Sequence, residues 1–186
     1  MVVRYLLFLL PLFLFAKEGE LLRVIDGDTL LLKDKEGFTI CQTSFIDTPE
    51  SIENEKFERD FQKCSNITKE YALEAGESAK AFALSVFKNI KKIDYEVTRV
   101  LPNQNPVCDI KLPKGVQVML HPTYSEVMVE QGYALPFVIY AEDERKEKLL
   151  ELAKDAKLEK RGLWKTHIQL MECLVSQRYS LRSLRD

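Results

Sequence analysis

Two runs rich in Leu, Ile, Val and Thr, residues 21–33 and 38–46, flank the polar stretch Asp34-Lys35-Glu36-Gly37. Apolar, β-branched runs broken by turn-forming residues read as strand, turn, strand, so the folded chain opens in a sheet. The period then changes. Residues 51–75 are polar and charged with weak periodicity, and read as a surface loop or partly helical insertion. Ala79, Phe82, Ala83, Val86, Phe87 and Ile90 recur at steps of three and four, the signature of a helix that buries one face. Residues 92–100 alternate as a strand, 101–113 are turn-rich with three prolines, and 116–120 suit a further short strand. Thr123-x-x-Glu126 has the form of a capping box for a short helix that Gly132 closes. A long helix is expected over 142–161 with Gly162 at its C-terminal cap, followed by a helical tail, 166–186, whose Arg178, Arg182 and Arg185 read as a solvated basic face. Strands first, then helices interleaved and terminal, predict an α+β domain on an antiparallel barrel.

Composition agrees with a single domain. The 186 residues are 46% hydrophobic and 30% charged, which excludes disordered and collagen-like chains. Residues 1–16 stand apart: Arg4 precedes an apolar run of eleven residues, Tyr5 to Phe15, that ends at Ala16. That run is shorter than the roughly 20 residues of a spanning helix and reads as a secretory signal cleaved near Ala16. Its removal leaves 26 basic against 29 acidic groups, a net charge of −3, so attraction to phosphate backbones is not built into the whole surface. Cys41, Cys64, Cys108 and Cys173 all fall in the exported part, where an even number favours two disulfides in one of three connectivities. Zinc is disfavoured, because the chain has no Cys-x-x-Cys or His-paired spacing.

The chemistry concentrates in Ile25-Asp26-Gly27-Asp28-Thr29 and Ile46-Asp47-Thr48-Pro49-Glu50. Each places carboxylates at a strand end or turn, where backbone can hold them converging. Carboxylates with a backbone carbonyl make a hard-oxygen site suited to Ca²⁺, and Pro49 stiffens the turn that carries Glu50. Elsewhere, Trp164 reads as a packing residue and His121 and His167 as surface residues.

These two segments resemble the signatures of the staphylococcal nuclease, or thermonuclease, family, in order and near the expected separation. The likeness continues through Gly76-Glu77-Ser78-Ala79-Lys80-Ala81-Phe82, Asn89, Lys91-Lys92-Ile93, Val127-Met128-Val129-Glu130-Gln131-Gly132-Tyr133-Ala134 and residues 153–164. It implies a five-stranded OB-type barrel with three helices over 17–165, the insertion at 51–75 and a C-terminal helical extension over 166–186. It also implies Ca²⁺ held by Asp28, Asp47 and the Thr48 carbonyl, with Glu50 as general base. Two departures stand out. The family has an arginine five residues before the second metal-binding Asp, where this chain has Gln42; its second arginine falls nearest Cys108 here. Gln42 donates hydrogen bonds but carries no charge, and losing an arginine from phosphoryl chemistry typically costs a factor of about 10³ to 10⁵. Arg99, Lys111 or the insertion 51–75 could supply the replacement.

In this fold the loop after the Asp-Thr-Pro-Glu segment and the turn after the fourth strand flank one cleft, which predicts Cys64–Cys108 and leaves Cys41–Cys173. The expected function is that of an exported, periplasmic or secreted monomer with no stable membrane association after cleavage. Its activity would be that of a divergent Ca²⁺-dependent phosphodiesterase, weak on DNA or RNA. The alternatives are a catalytically silent nuclease-fold domain that binds nucleic acid or a protein partner, and a module whose carboxylates bind Ca²⁺ for stability.

Overall fold

A computed structural model describes residues 17–100, 102, 104–113 and 121–185; the expected signal segment and the strand at 116–120 lie outside these residues. The opening run, expected as one strand over 21–33, is two: β1 (Lys17–Asp26) and β2 (Thr29–Asp34). Gly27-Asp28 turns the chain between them, and a Cβ on Gly27 would lie 2.9 Å from the Thr48 side chain, so the turn packs against the second carboxylate segment. β3 (Gly37–Thr43) completes the meander, and β5 (Lys92–Arg99) and β6 (Val107–Lys111) close the barrel in the order β1-β2-β3-β6-β5. The barrel is mixed rather than wholly antiparallel, because β3 and β6 pair in parallel, at Gln42–Val107 and Thr43–Cys108. Leu30, Leu32, Ile93, Tyr95 and Ile110 fill its interior.

That parallel seam is short, and Cys41–Cys108 staples it across a Cα separation of 5.6 Å. The second disulfide is Cys64–Cys173, Cα separation 5.8 Å. Both expected pairings, Cys64–Cys108 and Cys41–Cys173, are therefore corrected. Cys41 and Cys108 sit on neighbouring barrel strands, whereas Cys64 follows the first helix and meets the C-terminal extension. With all four cysteines paired, the chain suits an oxidising compartment.

The insertion 51–75 is partly helical: it contains α1 (Glu55–Phe61), anchored by buried Phe57, and the start of α2 (Lys69–Val86). Small residues line the buried face of α2, at Ala72, Ala75, Gly76, Ala79 and Ala83, and let its backbone approach the loop carrying Glu50. The expected capping box opens α3 (Tyr124–Glu130), with Thr123 and Glu126 bonded reciprocally. A two-stranded sheet joins β4 (Ile46–Asp47) to β7 (Leu135–Pro136). α4 (Asp143–Leu158) ends before the expected boundary, the chain reversing first at Lys160 (φ 53°). Gly162 instead precedes α5 (Leu163–Thr166), where a Cβ would meet the Gln131 carbonyl at 2.4 Å. Trp164 is buried, as expected.

The tail is an integral layer of the fold. α6 (Ile168–Ser176) and a 3₁₀ helix (Tyr179–Leu184) bury Leu170, Met171, Leu174, Val175, Leu181 and Leu184. His167, expected at the surface, is buried beneath Tyr71 with its ring centroid 4.6 Å away. No helix among the described residues is long and apolar enough to cross a membrane.

Gly76 tests the close approach of α2. A Cβ there would lie 2.0 Å from the Glu50 carbonyl oxygen and 2.5 Å from the Ser51 nitrogen, both backbone atoms that cannot swing aside. Gly76→Ala should destabilise the protein by about 1–3 kcal/mol in urea titrations, although alanine is the better helix former.

Candidate functional site

Asp28, Asp47, Thr48 and Glu50, separated by up to 22 positions, meet at the edge of the barrel. Asp28 is buried in the β1–β2 turn, where its Oδ1 accepts from the Thr29 hydroxyl at 2.9 Å and its Oδ2 from the Thr48 amide at 3.0 Å. Those bonds tie the two signature segments together. Tyr124 reinforces the turn by donating its hydroxyl to the Gly27 carbonyl at 2.6 Å. Asp47 is aimed by β4 and its partner β7. Just before it, Phe45 takes a left-handed conformation (φ 64°), unusual for an aromatic residue, held by the Phe137 amide on its carbonyl at 2.8 Å.

The oxygens converge on Lys56. Its Nζ lies 2.7 Å from Asp47 Oδ1, 2.9 Å from the Thr48 carbonyl and 3.8 Å from Asp28 Oδ2, and it bonds Glu50 Oε1 directly. Glu50 Oε2 accepts from Asn54 Nδ2 at 2.6 Å, so both oxygens of the expected general base are engaged. Asn54 also caps α1, accepting the Phe57 amide at 2.8 Å, and thereby fixes where Lys56 emerges. A cation in the first turn of a helix opposes the helix dipole, and here the three carboxylates overcome that preference. Burial would lower the Lys56 pKa, but Asp47, Asp28 and Glu50 raise it above the ordinary lysine value.

Arg178, from beyond α6, bonds Asp47 Oδ2. Burial pushes the Asp47 carboxyl up, and Lys56 and Arg178 together outweigh it, holding the group below the usual carboxylate range. The expectation that Arg178 lies on a solvated face is therefore corrected, while Arg182 and Arg185 are exposed as expected. Neither Lys56 nor Arg178 was legible as a site residue. Lys56 belongs to no motif, and Arg178 reaches Asp47 across 131 positions.

Beside this corner opens a cleft of about 490 Å³. Among the described residues, Lys56, Arg59, Lys63, Arg99 and Arg178 line it, against two acids, Asp47 and Asp60. Gln42, at the position of the family's first arginine, faces the cleft from β3; Cys108, nearest the second, is buried in its disulfide and offers nothing to a phosphate. Arg99 stacks over Tyr140, 4.2 Å from its ring centroid. Two nitrogens that contribute to the cleft's cations, Arg99 Nε and Arg178 Nη1, have no hydrogen-bond partner among the described residues. Lys111, another possible replacement, is committed to Asp109 at 2.7 Å.

For Ca²⁺, the donor chemistry fits, because Asp28, Asp47 and the Thr48 carbonyl are hard oxygens aimed at one point. The space does not fit, because Lys56 Nζ stands at that point.

A closed five-stranded OB-type barrel with paired carboxylate segments at its edge defines a nuclease-like class of protein. The family model of staphylococcal nuclease homologues matches residues 42–166, and the chain belongs to that family, whose members are generally Ca²⁺-dependent. Asp28 lies before the matched stretch. No curated protein matches the chain.

Asp26, behind the site, titrates against the trend. Burial raises its pKa from 3.8 to about 6, the Ser51 and Gly27 amides partly offsetting this and the Glu50 and Asp28 charges adding to it. A carboxyl with a raised folded-state pKa stabilises the fold fully below its unfolded pKa, and that stability is lost as pH rises through the folded value. Asp26 should therefore cost the fold about 2–3 kcal/mol between pH 3.8 and about 6. Urea midpoints across that window should show a smaller loss with rising pH in Asp26→Asn than in the wild type.

Proposed function

We propose that the chain is an exported, monomeric nuclease-fold protein that binds the phosphodiester backbone of DNA or RNA in the cleft beside Asp47. The observation that carries this reading is the cleft's composition, in which guanidinium and ammonium groups surround the exposed ring of Tyr140 and the half-buried rings of Phe45 and Phe137. Cations track a phosphate backbone, and aromatic faces stack bases of any sequence. Arg59 and Lys63 are exposed on and after α1, Arg99 and Arg178 each hold a buried nitrogen with no partner among the described residues, and Tyr140 is 67% exposed. Gln42 adds neutral donors at the floor. With a net charge of −3 for residues 17–186, attraction to nucleic acid is local to this cleft.

Ca²⁺-dependent hydrolysis of DNA or RNA is the second reading, favoured by the convergence of Asp28, Asp47 and Glu50. It asks for an oxyanion-stabilising charge that Gln42 does not provide and for a general base freed from two hydrogen bonds. Lys56 and Arg178 are the cations at that corner, and its carboxylates already engage both.

Fluorescence anisotropy with labelled single-stranded DNA and RNA separates the two readings when paired with digestion in Ca²⁺ and in chelator. Binding should be equal in Ca²⁺ and chelator and weaken with salt, at a log–log slope of about −0.7 per phosphate contact. Arg99→Ala and Lys63→Ala should each weaken it roughly three- to tenfold and flatten that slope. Ca²⁺-dependent cleavage abolished by Glu50→Gln would establish the second reading, and the absence of binding at low salt would exclude the first.

A further inference from the structure

We infer that Lys56 is the resident occupant of the cation position in this carboxylate corner, so that the wild-type chain assembles Asp28, Asp47 and Glu50 without a divalent ion. The inference concerns metal binding alone and stands whether or not the cleft takes nucleic acid.

The first ground is coincidence of partners. The oxygens that the family resemblance assigns to the metal, from Asp28, Asp47 and Thr48, are among those that surround Lys56 Nζ. Calcium seeks six to eight oxygens at about 2.3–2.6 Å. An ion held by Asp47 Oδ1, the Thr48 carbonyl and Asp28 Oδ2 together would compete for the space of the ammonium, which lies 2.7, 2.9 and 3.8 Å from the same atoms. One position cannot hold both.

The second ground is that Lys56 is fixed there. Its side chain is only 23% exposed, and the Asn54 cap sets the start of α1. Beyond its far end, Cys64 is bonded to Cys173, so the helix is secured at both ends. An ion would compete with a tethered cation, which no dilution removes. The third ground is Arg178, which takes Asp47 Oδ2 and so denies an incoming ion both oxygens of that carboxylate. Lysine at this point is also the shape-compatible choice, a compact charge with three donors rather than a planar fork.

Calorimetric titration of the disulfide-intact mature protein with CaCl₂, together with thermal melts in CaCl₂ and in EDTA, tests this. The wild type should show no saturable binding up to about 1 mM Ca²⁺ and the same melting temperature in both buffers. Lys56→Met and Lys56→Gln should melt lower than the wild type in EDTA. Both should then gain saturable Ca²⁺ binding at least about tenfold tighter than any in the wild type, with a Ca²⁺-dependent rise in melting temperature. Adding Asp47→Asn should erase that gain. Saturable binding of one Ca²⁺ by the wild type, lost in Asp47→Asn, would overturn the inference, as would folded Lys56 variants that ignore Ca²⁺. The wild-type titration decides the matter even where a variant fails to fold.

Discussion

Three carboxylates brought to one half-buried corner repel one another, and the fold can hold them only with positive charge among them. Lys56 and Arg178 supply it, one from an insertion helix and the other from the C-terminal extension. At an effective dielectric constant of about 20, unit charges 4 Å apart interact by roughly 4 kcal/mol, so this corner is among the strongest electrostatic demands in the molecule. Neutralisation of Asp47 outweighs its burial and keeps it ionised, whereas Asp26, which has backbone amides but no cation, is driven towards protonation. The contrast between two aspartates in adjoining segments follows from which one an ammonium can reach.

The demand explains the position of elements that a minimal barrel does not need. α1 places Lys56, and the Cys64–Cys173 bond joins the segment after α1 to α6, just upstream of Arg178. Gln177 adds a hydrogen bond to the Asp60 carbonyl at 3.1 Å, drawing the start of the last segment onto the same helix. In the unfolded chain these parts are far apart, and a bond with a sequence separation of 109 removes much of the entropy lost in assembling them. Such a link contributes about 2–5 kcal/mol in the loop-closure picture. Cys41–Cys108 acts similarly on the barrel, crossing the parallel seam where the ladder is shortest.

Local patterns in the sequence predicted local structure well. The helical face through Ala79, Ala83 and Val86, the reciprocal Thr123–Glu126 cap and the alternation from Lys92 all describe contacts within a few residues. The flanks of the Gly27-Asp28 turn are equally apolar, so a single run of hydrophobicity conceals two strands even though Asp26-Gly27-Asp28 itself reads as a strand end or turn. The carboxylate half of the site was legible because motif residues cluster in two short segments. Its cationic half was not, because nothing near Lys56 or Arg178 distinguishes them from solvated charges, and their role arises only when α1 and the tail close on Asp47. Disulfide pairing failed for the same reason, since proximity of Cys64 to Cys173 depends on the packing of an extension outside the family's core.

The two departures from the family pattern leave the cleft's positive charge to other residues of this chain. Cys108, nearest the second arginine position, is consumed in stapling the barrel, and a half-cystine buried in the wall cannot present a guanidinium to the cleft. Gln42 leaves the neighbouring strand neutral. Positive charge lies instead on Arg59 in α1 and Lys63 after it, on Arg178 after α6, and on Arg99 at the end of β5. A cleft wall built this way depends on the tail, whose buried Leu174, Leu181 and Leu184 supply the packing that keeps Arg178 in place. The extension is thus a structural part of the site, because Asp47 takes one of its two cations from it.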